Sequence, residues 1–210
     1  MTLHIWWLFT VAVFFLSATP GPNMLYVMST SVRYGVIKSI SAMAGCGLAV
    51  VSVLIASAAG MSSVLMASPR LYEFLRYAGV AYLFYLGLKA CFSKVDTVKI
   101  SDSNSNIKIS GLAIFRGGVA IGLSNPKSFI FAASFFPQFV NQNIAQLPQL
   151  IVLISTFAIV EMMWYIIYAS GGHKLSQLLN RPNAIRIFNG FVGIVFISFA
   201  LMLLLINTTP

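Results

Sequence analysis

ATPGPN, residues Ala18 to Asn23, and LSNPK, residues Leu123 to Lys127, are proline-broken polar interruptions inside two apolar segments that are each long enough to cross a bilayer. Proline has no backbone N–H, and its ring pushes away the carbonyl four residues back, so each one leaves an acceptor without its helical donor. Inside hydrocarbon such a break survives only where other protein groups or a water-filled cavity satisfy what has been freed. Both interruptions therefore mark places where something polar is held within the membrane.

Composition requires the membrane. Of 210 residues, 59% are hydrophobic and 8% are charged, whereas about a quarter are charged in soluble domains. A chain of this length holds about six helices of membrane-spanning size joined by short loops. The expected spans are Ile5 to Thr30, Ser39 to Met66, Leu71 to Cys91, Leu112 to Val140, Leu147 to Ser170 and Ala184 to Ile206. Ser17-Ala18-Thr19 has the look of a signal-peptide cleavage site, but no basic stretch precedes it and proline follows at once, so the first segment reads as a retained span.

The cations set the expected orientation. Arg33 and Lys38 lie after the first span, Lys89, Lys94, Lys99, Lys108 and Arg116 around the third connection, and Lys174, Arg181 and Arg186 around the fifth. The opposite face has Arg70 and Arg76. This bias places the N- and C-termini outside and the basic loops in the cytoplasm. The net charge of +9 is then a topogenic signal. Nucleic-acid binding is not expected, because the cations sit in short juxtamembrane loops and not on a folded basic surface with aromatics among them.

The organisation expected is an all-α polytopic membrane protein with six transmembrane helices, arranged as two inverted three-helix repeats with broken helices 1 and 4. Residues 1–91 form the first repeat, 92–111 a polar cytoplasmic linker and 112–210 the second repeat. Three helices per half forces the second half to insert upside down, and Pro22 aligns with Pro126 at an offset of 104 residues. Paired broken segments in corresponding places are the pattern of a secondary transporter whose site lies at the repeat interface.

The helical stubs beginning at Asn23 and Lys127 would start in the membrane interior with unpaired N–H donors and partial positive charge, which suits a carboxylate. Lys127 is an ammonium within a span, costly unless paired or hydrated. Glu161 is the acidic residue set within a predicted span away from its ends, with Trp164 and Tyr165 one turn on. Three roles are open to it: neutralising Lys127, binding a substrate amine together with Tyr165, or carrying a coupling proton. A rise-per-residue count separates the two groups in depth, with Glu161 about 20 Å and Lys127 about 8 Å from the outer face. The substrate-binding residues expected are Pro20, Gly21, Pro22, Asn23, Ser124, Asn125, Pro126 and Lys127.

Other features have plainer readings. Gly45, Gly47, Ala56, Ala58, Ala59 and Gly60 offer small surfaces for close helix packing. Trp6 and Trp7 suit interface anchors, and Phe135, Phe136 and Phe139 suit packing after the second break. Cys46 and Cys91 fall in different helices on the cytoplasmic side, so no disulfide is expected, and no metal or other cofactor either. No constellation for acid–base or nucleophilic chemistry is present, which argues against a membrane enzyme.

PGPNMLYVMSTSVRYG (Pro20 to Gly35), AMAGCGLAV (Ala42 to Val50), RYAGVAYLFYLGLKA (Arg76 to Ala90), FRGGVAIGLSNPKSFIFAASFFPQFV (Phe115 to Val140) and GFVGIVFISFALML (Gly190 to Leu203) together resemble the lysine exporter (LysE) superfamily, particularly its homoserine/threonine-efflux branch. The resemblance covers nearly the whole chain. It implies an inner-membrane exporter of amino acids or close derivatives, driven by the proton gradient, with Pro20 to Asn23 and Asn125 to Lys127 at the signature positions. One departure is that several members of the branch place an acidic residue in the second helix about where Val50 or its neighbours Ala49 and Val51 stand, and this helix has none. The partners expected are an amino acid, a proton and lipid, with a homo-oligomer left open. The alternatives are a small-solute channel built on half-helix pore motifs and an exporter of a non-amino-acid solute.

Overall fold

The computed structural model describes residues 1–67, 69–92, 109–141, 144–179 and 182–206, and among them every regular element is helical. The chain runs α1 (Leu3–Ala18), α2 (Pro22–Tyr34), α3 (Val36–Ala67), α4 (Pro69–Phe92), α5 (Gly111–Leu123), α6 (Pro126–Ile130), α7 (Gln146–Leu179) and α8 (Pro182–Ile206). A π-helical turn over Phe131–Phe135 and a 3₁₀ turn over Phe136–Phe139 continue α6. Most of the expected linker, 93–108, lies outside the described residues.

Both interruptions break their helices where proline requires. α1 and α2 meet at 52°, and α5 meets the run from Pro126 to Phe139 at 50°. Counting each bent pair as one, the described residues contain up to four spans long and apolar enough to cross a membrane, the other two being Val36–Gly60 and Gln146–Gly172. Tyr77–Phe92 and Arg186–Leu201 are shorter apolar helices. Two expected loops are largely helix instead. Gly35, at φ 88°, is the whole connection between α2 and α3, a conformation that favours glycine. α7 continues to Leu179, well past the expected end at Ser170.

Local chemistry starts each half-helix. Thr2 and Ser110 accept from the backbone N–H groups of Ile5 and Ala113 and so cap α1 and α5. Pro22 and Pro126 stand in the first turns of α2 and α6, where a missing N–H costs nothing and φ is already helical.

The same prolines orphan carbonyls, and side chains from other helices replace the lost donors. Pro20 cannot serve Leu16 O, which keeps an i+3 bond from Thr19 N at 3.2 Å and also accepts from Lys127 Nζ of the second break. Pro22 cannot serve Ala18 O, which accepts from Tyr168 OH of α7 at 2.8 Å. Before Pro137 the Phe136 N–H goes to Phe131 O in a π-type bond, and Ala132 O takes Ser57 Oγ of α3 in its place. The second break repairs itself more locally: Gly122 O, facing Pro126, accepts from Asn125 N at 3.3 Å.

Helices approach closely where glycines allow. A Cβ at Gly45 would lie 2.2 Å from Phe115 O, and one at Gly118 2.8 Å from Ala42 O, so α3 and α5 meet backbone to backbone. Gly87 and Gly193 do the same for α4 and α8. Of the expected packing residues, Ala58 is buried, whereas Ala56, Ala59 and Gly60 face outward, on the other side of α3. Trp7 is exposed as an anchor would be, but Trp6 is tied inward, its Nε1 donating to Thr156 Oγ1 of α7 at 3.0 Å.

Two apolar clusters fill the interior. One gathers Phe9, Phe131, Phe135, Phe136, Phe139 and Phe157 with parts of α3, α4 and α8. The other joins α2, α3, α5 and α7 through Met24, Met28, Cys46 and Tyr165. The three phenylalanines after the second break are thus packing residues, with Phe139 5.2 Å from Phe9 ring to ring.

Two predictions follow from this packing. Gly45→Ala drives a methyl into a backbone oxygen and should cost about 1–3 kcal/mol, while Gly60→Ala, with nothing within 4 Å of its added Cβ, should cost little; melting of the two variants in detergent compares them. Tyr168→Phe leaves Ala18 O buried without its donor and should destabilise by about 1–3 kcal/mol, read in the same assay.

Candidate functional site

The two breaks come together around one cavity. Gly21, Asn23, Asn125, Lys127 and Glu161 line it, along with Leu16, Met24, Ser128, Phe131 and Phe157. Its volume is about 20 Å³, room for roughly one water. Members of both apolar clusters form its walls.

The first break supplies one wall. α2 starts at Pro22 with no side-chain cap on its N-terminus, so the first-turn residues Asn23 and Met24 bring a partially positive helix end to the cavity. Asn23 is buried, and its Nδ2 donates to Tyr165 OH at 3.2 Å, which leaves Oδ1 without a partner. The second break supplies the opposite wall. Asn125 Oδ1 accepts from Lys127 N–H at 3.1 Å, so α6 is capped by its own asparagine and less open to an anion than α2.

Lys127 crosses from one break to the other. Its Nζ donates to Leu16 O and to Thr19 O, the latter at 3.2 Å. Its stem runs beside Gly21, where a Cβ would stand 3.8 Å from Cδ. The ammonium is therefore held by the carbonyl end of α1, where the peptide dipoles leave partial negative charge.

Glu161 is buried on the same cavity, with the hydroxyls of Ser17 and Tyr165 beside its carboxyl. Ser17 Oγ is buried and completes no hydrogen bond. Glu161 and Lys127, expected at depths whose gap two extended side chains could span, both line this one small cavity.

Three expected site residues act by shape: Pro20, Pro22 and Pro126 make the breaks without lining the cavity. Ser124 is exposed, caps the end of α5 through its own N–H, and stays out of the site. Tyr165 is fully buried behind Asn23, which it positions. Leu16, Met24, Ser128, Phe131 and Phe157 are lining residues that sequence reasoning missed, and Tyr168 stands outside the lining, bonded to Ala18 O. Leu16 could have been found as the residue four before Pro20. Phe157 and Tyr168 share a helical face with Glu161 and Tyr165 by their spacing.

The arrangement holds one ammonium, one carboxyl, an uncapped helix N-terminus and one unpartnered acceptor, Asn23 Oδ1, between apolar walls. Such a site can bind and orient a small charged solute. Among the described residues no group of three or more His, Cys, Asp or Glu is placed to hold a metal ion.

Comparison with known proteins agrees over almost the full length. The chain is 27% identical to a leucine efflux protein of Enterobacter sp. (strain 638) over 197 residues, covering 92% of each chain. It is 28% identical to a homoserine/homoserine lactone efflux protein of Salmonella typhimurium over 93% of this chain and 94% of that one. A leucine efflux protein of Klebsiella pneumoniae is 28% identical over 91% of each. No solved structure matches. Residues 14–207 match the LysE type translocator family, and the chain belongs to it.

Proposed function

We propose that the protein exports an amino acid, or a close derivative, from the cytoplasm across the bacterial inner membrane, coupled to inward movement of a proton. One observation carries the reading: a buried cavity where the two breaks meet presents one ammonium, Lys127, and one carboxyl, Glu161, between apolar walls. The family and the efflux functions named for its relatives support the same substrate class.

The substrate carboxylate rests against Lys127 and the uncapped N-terminus of α2, where Asn23 adds its amide. Glu161 carries the coupling proton, alternating between a charged state and a neutral one that tolerates burial. A cavity of about 20 Å³ cannot hold an amino acid, so the conformation is a closed one and transport requires the walls to part.

The moving parts are two inverted halves of three spans each, residues 1–91 and 112–210, joined by a linker at 92–111. Helix pairing supports this. α3 packs along α5 while α7 packs along α1 and α2, and α4 packs on α8. A two-fold exchange of the halves turns the first pairing into the second and leaves the third unchanged, and the similar bends at the two breaks fit the same symmetry. The cation bias puts both termini outside.

Efflux of preloaded labelled amino acids tests the proposal. Lys127→Ala should lower export by on the order of a hundredfold, the cost of about 2.7 kcal/mol in lost charge pairing, with the protein still present in the membrane. Normal export by that variant would remove the carboxylate site. In wild type, acidifying the outside should accelerate export, because protons then enter more readily; in Glu161→Gln that acceleration should vanish. An unchanged pH response in Glu161→Gln would take coupling away from this residue.

A further inference from the structure

The carbonyls of Leu16 and Thr19 already hold a primary ammonium, and it is the protein's own. Leu16 O keeps a single i+3 bond, from Thr19 N at 3.2 Å, because Pro20 has no N–H to give. Thr19 is the C-terminal cap of α1, and the helical donor four residues on, Asn23 N–H, lies beyond the break in α2. Both oxygens thus face out of a helix end that carries partial negative charge. Lys127 reaches them across the junction of the two breaks, alongside the cavity that Leu16, Gly21 and Asn23 help to line. The unpartnered Asn23 Oδ1 adds an acceptor at the cavity.

We infer that the Leu16 and Thr19 carbonyls form the binding site for the ammonium of the transported amino acid, and that Lys127 occupies this site as a tethered substitute while the carrier is empty. The inference rests on the proposed export of an amino acid and gives that substrate's amine its place. On binding, the substrate carboxylate draws Lys127 Nζ off the two carbonyls, and the substrate ammonium takes them over. One ammonium replaces another. Neither the carbonyls nor Lys127 is left unpaired in a low-dielectric interior, where an unpaired group is costly. The empty carrier closes on its own lysine and can return without cargo, and Glu161 stays available for the proton.

The test is direct because truncating Lys127 at Cβ removes three carbons and an ammonium, the shape of n-propylammonium. Purified Lys127→Ala should melt lower than wild type and regain stability on adding n-propylammonium. The expected rise is on the order of 3 °C at ten times the dissociation constant. Tetramethylammonium has no N–H to donate and should give no rise, and wild type, whose site is filled, should respond to neither. Should Lys127→Ala fail to accumulate, Lys127→Ser carries the same expectation. No response to n-propylammonium in the truncated protein, or an equal response to tetramethylammonium or in wild type, would overturn the inference. Absent amino-acid export with an intact n-propylammonium response would instead sink the proposed function and leave the ammonium site standing.

Discussion

A backbone carbonyl inside hydrocarbon has no water to turn to, and the prolines of this chain create several of them at chosen places. Pro20 and Pro22 strip the donors from Leu16 and Ala18, and the rescuing groups come from elsewhere: Lys127 of the second break and Tyr168 of α7. The geometry of the interior depends on that exchange. It fixes the first break against the second, fastens α7 beside both, and places an ammonium where an isolated one would be expensive. Ser57 performs the same service for Ala132, whose helical donor, Phe136 N–H, turns to Phe131 O in the π-helical turn.

This constraint also explains why the site is where it is. Groups that repair a broken helix are polar, buried and short of partners, and those are the properties a solute-binding site needs. Asn23, in the first turn after the break, is buried with Nδ2 donating to Tyr165 OH and Oδ1 unpartnered. Around these groups Phe131 and Phe157, 5.2 Å apart ring to ring, keep the surroundings apolar, so each charge that enters must find a partner within the protein.

Much of this was legible in the sequence. Proline's missing N–H located both breaks, and the apolar runs around them required helices. Lys127 and Glu161 stood out because ionisable groups within spans are costly, and both line the cavity. What could not be read was distance between segments far apart in the chain. A rise-per-residue count sets Lys127 and Glu161 at different depths, and the packing of α7 against the first break leaves both lining one cavity. Ser124 shows the converse: it is adjacent to Asn125 in sequence, but as the cap of α5 it turns outward. The small residues of α3 suit close packing by composition alone, but helix phase divides them, Gly45 against α5 and Gly60 toward the outside. Extended helices replaced two expected loops because polar residues such as Arg33 and Lys38 do not themselves end a helix.

Lys127 replaces the donor that Pro20 removes, and a double-mutant cycle between the two positions measures that coupling. Pro20→Ala restores an N–H opposite Leu16 O, so Lys127→Ala should destabilise the Pro20→Ala protein much less than it destabilises wild type. Melting in detergent should give a coupling of about 1–3 kcal/mol between the two substitutions. Strictly additive effects would contradict the account, because they would mean that the lysine and the missing donor are energetically unrelated.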